Sequence, residues 1–205
     1  MNLNRRAFAT SIAKAAVTLA AAGSFLGVAS CGTIFAAIEK YVPVGLQGFT
    51  AVVNLLAGAG VLPLGTGTAV QLLITAVKAA FADITVAVQD YQAAPAADKA
   101  TLLGKISTVV ADAETNIQLF WSNLNLPAGS TATLVEGLLQ VIVSTLMGFG
   151  TQLPAPASSK EMRAKLSAIP DTKLINATPR MRSVAQFKAD FNRQLPASQK
   201  AYAIK

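Results

Sequence analysis

The chain of 205 residues contains no histidine. Histidine is the commonest general base near neutral pH and the commonest metal ligand in proteins. The chain also has a single cysteine, Cys31, so it cannot form an internal disulfide. This residue content argues against zinc, haem and iron–sulfur sites. We therefore expect no metal, no cofactor and no enzymatic activity, and a site built from carboxylates alone is the remaining enzymatic alternative.

Charged residues are also scarce, at 13% of the chain against 53% apolar residues, and they are unevenly placed. Residues 32–155 carry a net charge of −3, whereas residues 156–205 hold ten Lys and Arg against three Asp and Glu, a net charge of +7. An apolar, faintly acidic body is thus followed by a basic tail. Such asymmetry indicates that the tail meets an anionic partner.

The first thirty residues have the three parts of an export signal in order. Arg5 and Arg6 supply a positive start, Ala15 to Val28 is an uncharged run, and the small residues Ala29 and Ser30 close it. The uncharged run is too short and too rich in Ala and Gly for a comfortable membrane span, which needs roughly 20 strongly apolar residues. We therefore predict that residues 1–30 are a cleaved signal peptide.

Two motifs in this leader carry a resemblance to known families. Arg5-Arg6-Ala7-Phe8 resembles the twin-arginine export motif, and Val28-Ala29-Ser30-Cys31 resembles the lipobox of bacterial lipoproteins. In the lipoprotein family the Cys thiol receives a diacylglycerol and the chain is cut just before it. The resemblance covers the leader only. It implies acylation of Cys31 and attachment to a membrane of a bacterial cell envelope, on the exported side, periplasm-facing or in the outer membrane.

Each motif has a plainer alternative. Arg5 and Arg6 also suit the basic start of a general secretory signal. Cys31 also suits a buried thiol, because free Cys often packs as a small apolar residue. We favour acylation because Cys31 is the only cysteine and stands where a lipobox requires one.

Residues 31–153 have a helical period almost throughout. The short turn around Pro95 makes the two longest predicted helices antiparallel neighbours. The pattern predicts an all-α fold, an up-down helical bundle of about four principal helices, with a short lead-in helix that Pro43 stops. The predicted helices are Thr33–Tyr41, Val44–Ala57, Thr68–Gln92, one with Asp98 in its first turn that runs to about Leu124, and a last one from Ser130 or Thr131 to Phe149.

Residues 154–205 form a basic C-terminal extension in which several prolines limit helices to short pieces. We predict Ser159–Ala168 and Ser183–Leu195, the second with an apolar edge. This edge either lies on an anionic membrane surface or docks onto the bundle, and docking is favoured because one short helix has little apolar area. The candidate contacts for anionic lipid or an envelope polymer are Arg182, Lys188 and Arg193. No nucleic-acid partner is expected, because aromatic and basic residues are not interleaved.

These patterns lead to two functional hypotheses. The first is a non-enzymatic, lipid-anchored cell-envelope protein that acts as a binding or scaffolding module, with its protein partner left open. The second is a membrane-active protein whose apolar helices, above all Leu134–Phe149, insert into a bilayer. Gly137 to Gly150 is too short for a span and has Glu136 and Gln140 beside or within it, so we expect the central helix of a bundle there.

Overall fold

The computed structural model describes residues 28–62, 68–124, 126–156 and 160–205. Within these ranges the chain is helical and forms no strand, which confirms the predicted all-α bundle. Residues Ile34–Lys205 form one compact unit. The four long helices are α1 (Val28–Gly58), α2 (Ala69–Ala93), α3 (Lys99–Asn123) and α4 (Ser130–Gly150). The shorter pieces are α5 (Lys160–Ser167), α6 (Val184–Gln194) and the 3-10 helices Asp171–Lys173 and Ala197–Tyr202.

Helices α2 and α3 form the antiparallel pair that the sequence predicts. Helix α2 begins after Thr68, whose hydroxyl oxygen accepts a hydrogen bond of 3.3 Å from the backbone N–H of Gln71. That bond satisfies one of the backbone donors left open at a helix start. A turn over residues 94–98 joins the two helices, and each buries one apolar side, with Ile84 of α2 and Ile117 of α3 fully enclosed.

The predicted break at Pro43 is wrong. The predicted helices Thr33–Tyr41 and Val44–Ala57 are parts of one helix, α1, which runs through Pro43. Proline lacks the N–H that would bond the carbonyl of Glu39, and its ring crowds that carbonyl. For this reason proline usually breaks or kinks a helix. Pro43 and Glu39 lie on the exposed side, where water can satisfy the freed carbonyl. Tyr41 and Phe49, one on each side of Pro43, are buried in the core and hold both halves of the helix in place. Tertiary packing therefore overrides the local preference.

Helix α4 lies at the centre of the bundle. Its Phe149 ring lies 5.2 Å from the ring of Tyr41 on α1, and the Tyr41 hydroxyl donates a hydrogen bond of 3.2 Å to the carbonyl of Ile142. Among the described residues, three helices are long and apolar enough, by length and composition, to cross a membrane: α1 from Gly32, α2 and α4. Of their most apolar stretches, 61% of the one in α4 is buried but only 28% of the one in α2. Helix α4 is thus largely enclosed by the protein itself.

The basic tail belongs to the same compact unit as the bundle. On α6, Phe187 and Phe191 are fully buried, and the Phe187 ring meets the Tyr41 ring edge-on at 5.0 Å. Ser183 caps α6 through a reciprocal pair of hydrogen bonds with Gln186. The apolar edge of this helix therefore docks onto the bundle, as the favoured alternative predicts, and its charged side faces outward.

Candidate functional site

The candidate site lies where the tail crosses the central helix. Here an extended segment around Arg180 passes directly over Gly148 of α4. A Cβ atom on Gly148 would lie 2.5 Å from the carbonyl carbon of Arg180 and 2.7 Å from the backbone nitrogen of Met181. Glycine is therefore required for this close approach. The backbone N–H of Arg180 donates a hydrogen bond of 2.8 Å to the carbonyl of Ser144, which fixes the segment on the helix.

Arg182 is the buried centre of the site, with only 9% of its side chain exposed. Its Nε donates a hydrogen bond of 2.9 Å to Oδ2 of Asp190 on α6. Its Nη1 donates to the hydroxyls of Ser144 and, at 3.1 Å, of Thr145 on α4. A planar guanidinium can serve several acceptors in one fixed arrangement. Arg182 thus ties the crossing segment, α4 and α6 together.

Two further arginines surround the same carboxylate from outside. Nη1 of Arg193 lies 3.4 Å from Oδ1 of Asp190, and Nη1 of Arg180 lies 3.9 Å from Oδ2. Their side chains are 75% and 66% exposed, respectively. Exposed ion pairs contribute only about 0–1 kcal/mol each. Asp190 therefore holds these two guanidinium groups weakly, and both remain free to contact another anion.

The charge of this cluster at neutral pH follows from the state of Asp190. The hydrogen bond from Arg182 lowers the pKa of the Asp190 carboxyl below its usual range, and the positive charges of the three arginines lower that pKa further, against an opposing effect of burial. Asp190 is thus ionised at neutral pH. Three guanidinium groups meet one carboxylate, which leaves the cluster with a surplus of two positive charges.

These side chains border a cavity of about 350 Å³ between α4, the crossing segment and α6, which we call the arginine cleft. Amide and hydroxyl groups supplement the arginines around it. An arginine fork matches the paired oxygens of a carboxylate or a phosphate. The cavity therefore offers an anionic oxygen-rich group two guanidinium forks on a rigid base. The polar residues that line it are Gln140, Ser144, Thr178, Arg180, Arg182, Asp190, Arg193 and Gln194.

The structure brings two of the three predicted anion contacts to this cleft. Arg182 lies at its base, bonded internally, and Arg193 lies at its rim. Lys188 is not among the lining residues, and its Nζ donates a hydrogen bond to the carbonyl oxygen of Lys205. Arg180 and Asp190 were not singled out from the sequence. One available signal was Arg180-Met181-Arg182, because alternate residues of an extended segment share a side.

The residues predicted for export and lipid attachment lie within the first thirty-one positions, far in sequence from the residues that line the cleft. Arg5, Arg6 and Phe8 lie outside the described residues. Val28, Ala29, Ser30 and Cys31 have a described backbone, which forms the first turn of α1. Acylation of Cys31 stays a prediction.

Outside the cleft, the Glu114 carboxyl on α3 is a weaker acid than usual. Burial raises the pKa of Glu114 on α3 from 4.5 to about 7. Within the described ranges, no three Cys, Asp or Glu side chains lie close enough together to hold a metal ion. Comparison with protein-family models, with curated proteins and with solved structures finds no match to this chain.

Proposed function

We propose that this protein is a non-enzymatic, lipid-anchored binding module of a bacterial cell envelope, and that it holds an anionic oxygen-rich group in the arginine cleft. The observation that carries the binding role is the pair of exposed guanidinium groups, Arg180 and Arg193, on a base fixed by Arg182 and Asp190. A site meant only to neutralise Asp190 would need one arginine. The surplus charge supports an external ligand.

The anchoring part of the proposal rests on the leader. Cys31 is the only cysteine and ends a lipobox-like sequence. Each buried methylene contributes about 0.8 kcal/mol to membrane binding, and stable anchoring needs two acyl chains or one chain with a second signal. A diacylglycerol on Cys31 meets that need by itself. The chain lacks His, and acylation would occupy its one thiol, which supports a non-catalytic role.

The ligand class follows from the geometry of the arginines. Phosphate and carboxylate groups present paired oxygens at the spacing of a guanidinium fork. In a cell envelope, such groups occur on anionic lipid head groups, on envelope polymers and as free ions. The shared chemistry is an anionic oxyacid group, and phosphate is the simplest probe of it.

The test is a calorimetric titration of the purified mature protein with inorganic phosphate at low ionic strength. The double variant Arg180→Gln/Arg193→Gln should bind phosphate at least about 10-fold more weakly, equivalent to about 1.4 kcal/mol. Lys40→Gln/Lys78→Gln removes the same charge from exposed positions elsewhere and should leave binding unchanged. Equal losses in both double variants, or no binding by the parent protein, would refute the cleft as a site.

A second arm identifies the source of the anionic group. The Cys31→Ser protein, which lacks the attachment atom, is sedimented with vesicles of phosphatidylglycerol or of phosphatidylcholine. Binding to phosphatidylglycerol alone, lost in Arg180→Gln/Arg193→Gln, identifies a lipid head group. Phosphate binding without vesicle binding identifies a free or polymer-borne group.

The membrane-active hypothesis remains the second candidate, but α2 now suits bilayer insertion better than α4. Helix α4, which contains Leu134–Phe149, has the most buried apolar stretch of the three long apolar helices, whereas α2 leaves Leu72 and Val86 exposed. A helix with an exposed apolar side needs less unfolding to meet a bilayer. Leakage of a trapped dye from liposomes on addition of the mature protein would favour this candidate over a stably folded binding module.

A further inference from the structure

The distance between Cys31 and the folded core has a strict upper limit. Phe35, four residues after Cys31, is the first fully enclosed aromatic residue of α1, with 2% of its surface exposed. Four residues of chain reach at most about 14 Å even when fully extended. Whatever conformation residues 32–34 adopt, a lipid on Cys31 therefore holds Phe35 close to the bilayer.

Phe35 belongs to one defined end of the bundle. Its ring packs on the ring of Tyr91, with 4.1 Å between centroids, two residues before the end of α2. At the same end, Lys99 at the start of α3 places its Nζ 5.1 Å from the centre of the Tyr91 ring, and Gln92 donates a hydrogen bond of 3.2 Å to Glu39. These contacts fix the turn over residues 94–98 beside Phe35.

This turn is suited to close approach to a lipid surface. Its first four residues are Ala94-Pro95-Ala96-Ala97, uncharged and small, so burying them against head groups removes little charge from water. Asp98 and Lys99 follow directly and carry opposite charges, so this end of the turn has no net charge to set against the head groups.

The opposite end of the bundle lies far from the anchor. Helix α1 continues for 23 residues from Phe35 to its end at Gly58, a length of roughly 35 Å at 1.5 Å per residue. The turn at Ala59 and Gly60 lies there. The two ends therefore differ in distance from Cys31 by more than the four-residue tether can span.

We propose that the bundle stands on the bilayer with the α2–α3 turn (residues 94–98) against the lipid head groups and the turn at residues 59–60 pointing away. This orientation rests on the proposed acylation of Cys31. It adds a second membrane contact, made by the folded domain, to the covalent one. The partner of this surface is the lipid bilayer itself.

The experiment uses the exported and processed protein, reconstituted in vesicles that contain phosphatidylglycerol. Acylation of Cys31 leaves no free natural thiol, so Ala96→Cys and Ala59→Cys each accept one fluorescent label. Both positions are exposed turn residues, and neither substitution disturbs the core. A quencher attached to lipid head groups, which acts only at short range, should quench the label at position 96 at least about fivefold more than the label at position 59.

The outcomes separate the orientation from the anchor. Mass spectrometry of the same sample tests whether Cys31 is acylated, and a bare thiol overturns both proposals. With Cys31 acylated, equal quenching at the two positions, or stronger quenching at position 59, overturns the orientation and leaves the anchor intact. The label at position 96 should also shift to a less polar emission when vesicles replace neutral detergent, and the label at position 59 should not.

Discussion

Replacing Gly148 by alanine adds one methyl group at the point where the tail crosses α4. The new Cβ would lie 2.5 Å from the carbonyl carbon of Arg180 and 2.6 Å from its oxygen. Both atoms belong to the backbone, so no side-chain rotation can relieve the contact. The crossing segment has to move away from α4, and the hydrogen bond from Arg180 N–H to the Ser144 carbonyl lengthens or breaks.

The expected magnitude combines two opposing effects. Overpacking of a buried site costs typically about 1–3 kcal/mol, and the weakened hydrogen bond adds about 0.5–1.5 kcal/mol. Alanine in place of glycine inside a helix stabilises by roughly 0.5–1 kcal/mol. We therefore expect Gly148→Ala to lower the free energy of unfolding by about 2 kcal/mol, within a range of about 0.5–4 kcal/mol.

Gly104→Ala is the matched control, because a Cβ there meets nothing within 4 Å and Gly104 also lies inside a long helix. This variant should be more stable than the parent by roughly 0.5–1 kcal/mol. Urea unfolding of residues 32–205 is followed by the fluorescence of Trp121, the only tryptophan, and by circular dichroism at the same time. Coincident transitions justify a two-state treatment.

The sign of the difference between the two variants tests the crossing geometry. If Gly148→Ala is as stable as Gly104→Ala, the tail does not pass over α4 at that residue, and the arginine cleft is not assembled as described. Gly148→Ala should also weaken phosphate binding, because Arg180 and Arg182 leave their positions over α4, whereas Gly104→Ala should leave phosphate binding unchanged.

Two further predictions concern stability. The raised pKa of Glu114 means that the folded state binds a proton more tightly than the unfolded state does. The free energy of unfolding should therefore fall by up to about 3 kcal/mol as the pH rises from about 4.5 to about 7. Above that range it should level off. Glu114→Gln should remove this decline and be the more stable protein at pH 8 in urea unfolding; an unchanged pH profile would contradict the burial of Glu114. Pro43→Ala restores the N–H that α1 lacks opposite Glu39 and should raise the free energy of unfolding by about 1–3 kcal/mol. A loss of stability in thermal or urea unfolding would mean instead that the core requires proline at position 43.

The sequence predicted most of the helical bundle because its apolar periods are local. The bounds of α2, α3, α4 and α6 agree with the predicted ones within two residues. Side chains three and four positions apart share one side of a helix, so a stripe of Leu, Ile, Val and Phe identifies both the helix and its buried side. The prediction failed at Pro43, where buried aromatic contacts on both sides outweigh a local preference for a break.

The candidate site was less accessible to such reasoning. Arg182 and Arg193 were recognised as cations beside an apolar helical edge, but the role of Arg182 as an internal tie depends on Ser144 and Thr145, nearly forty residues earlier. Gly148 carries no signal in a helix that already contains Gly137 and Gly150. Its importance depends on which segment of the chain packs against it, here the backbone around Arg180.

The sequence by itself determined the class of fold and the residue types that are present for any chemistry. The absence of His and the single cysteine depend on residue content alone, and the helical period depends on neighbours within one turn. Only the tertiary structure decided that α1 is continuous, that the basic tail packs on the central helix, and that three arginines converge on Asp190. These features arise from contacts between residues far apart in the chain, where close packing selects one arrangement and local preference has no influence.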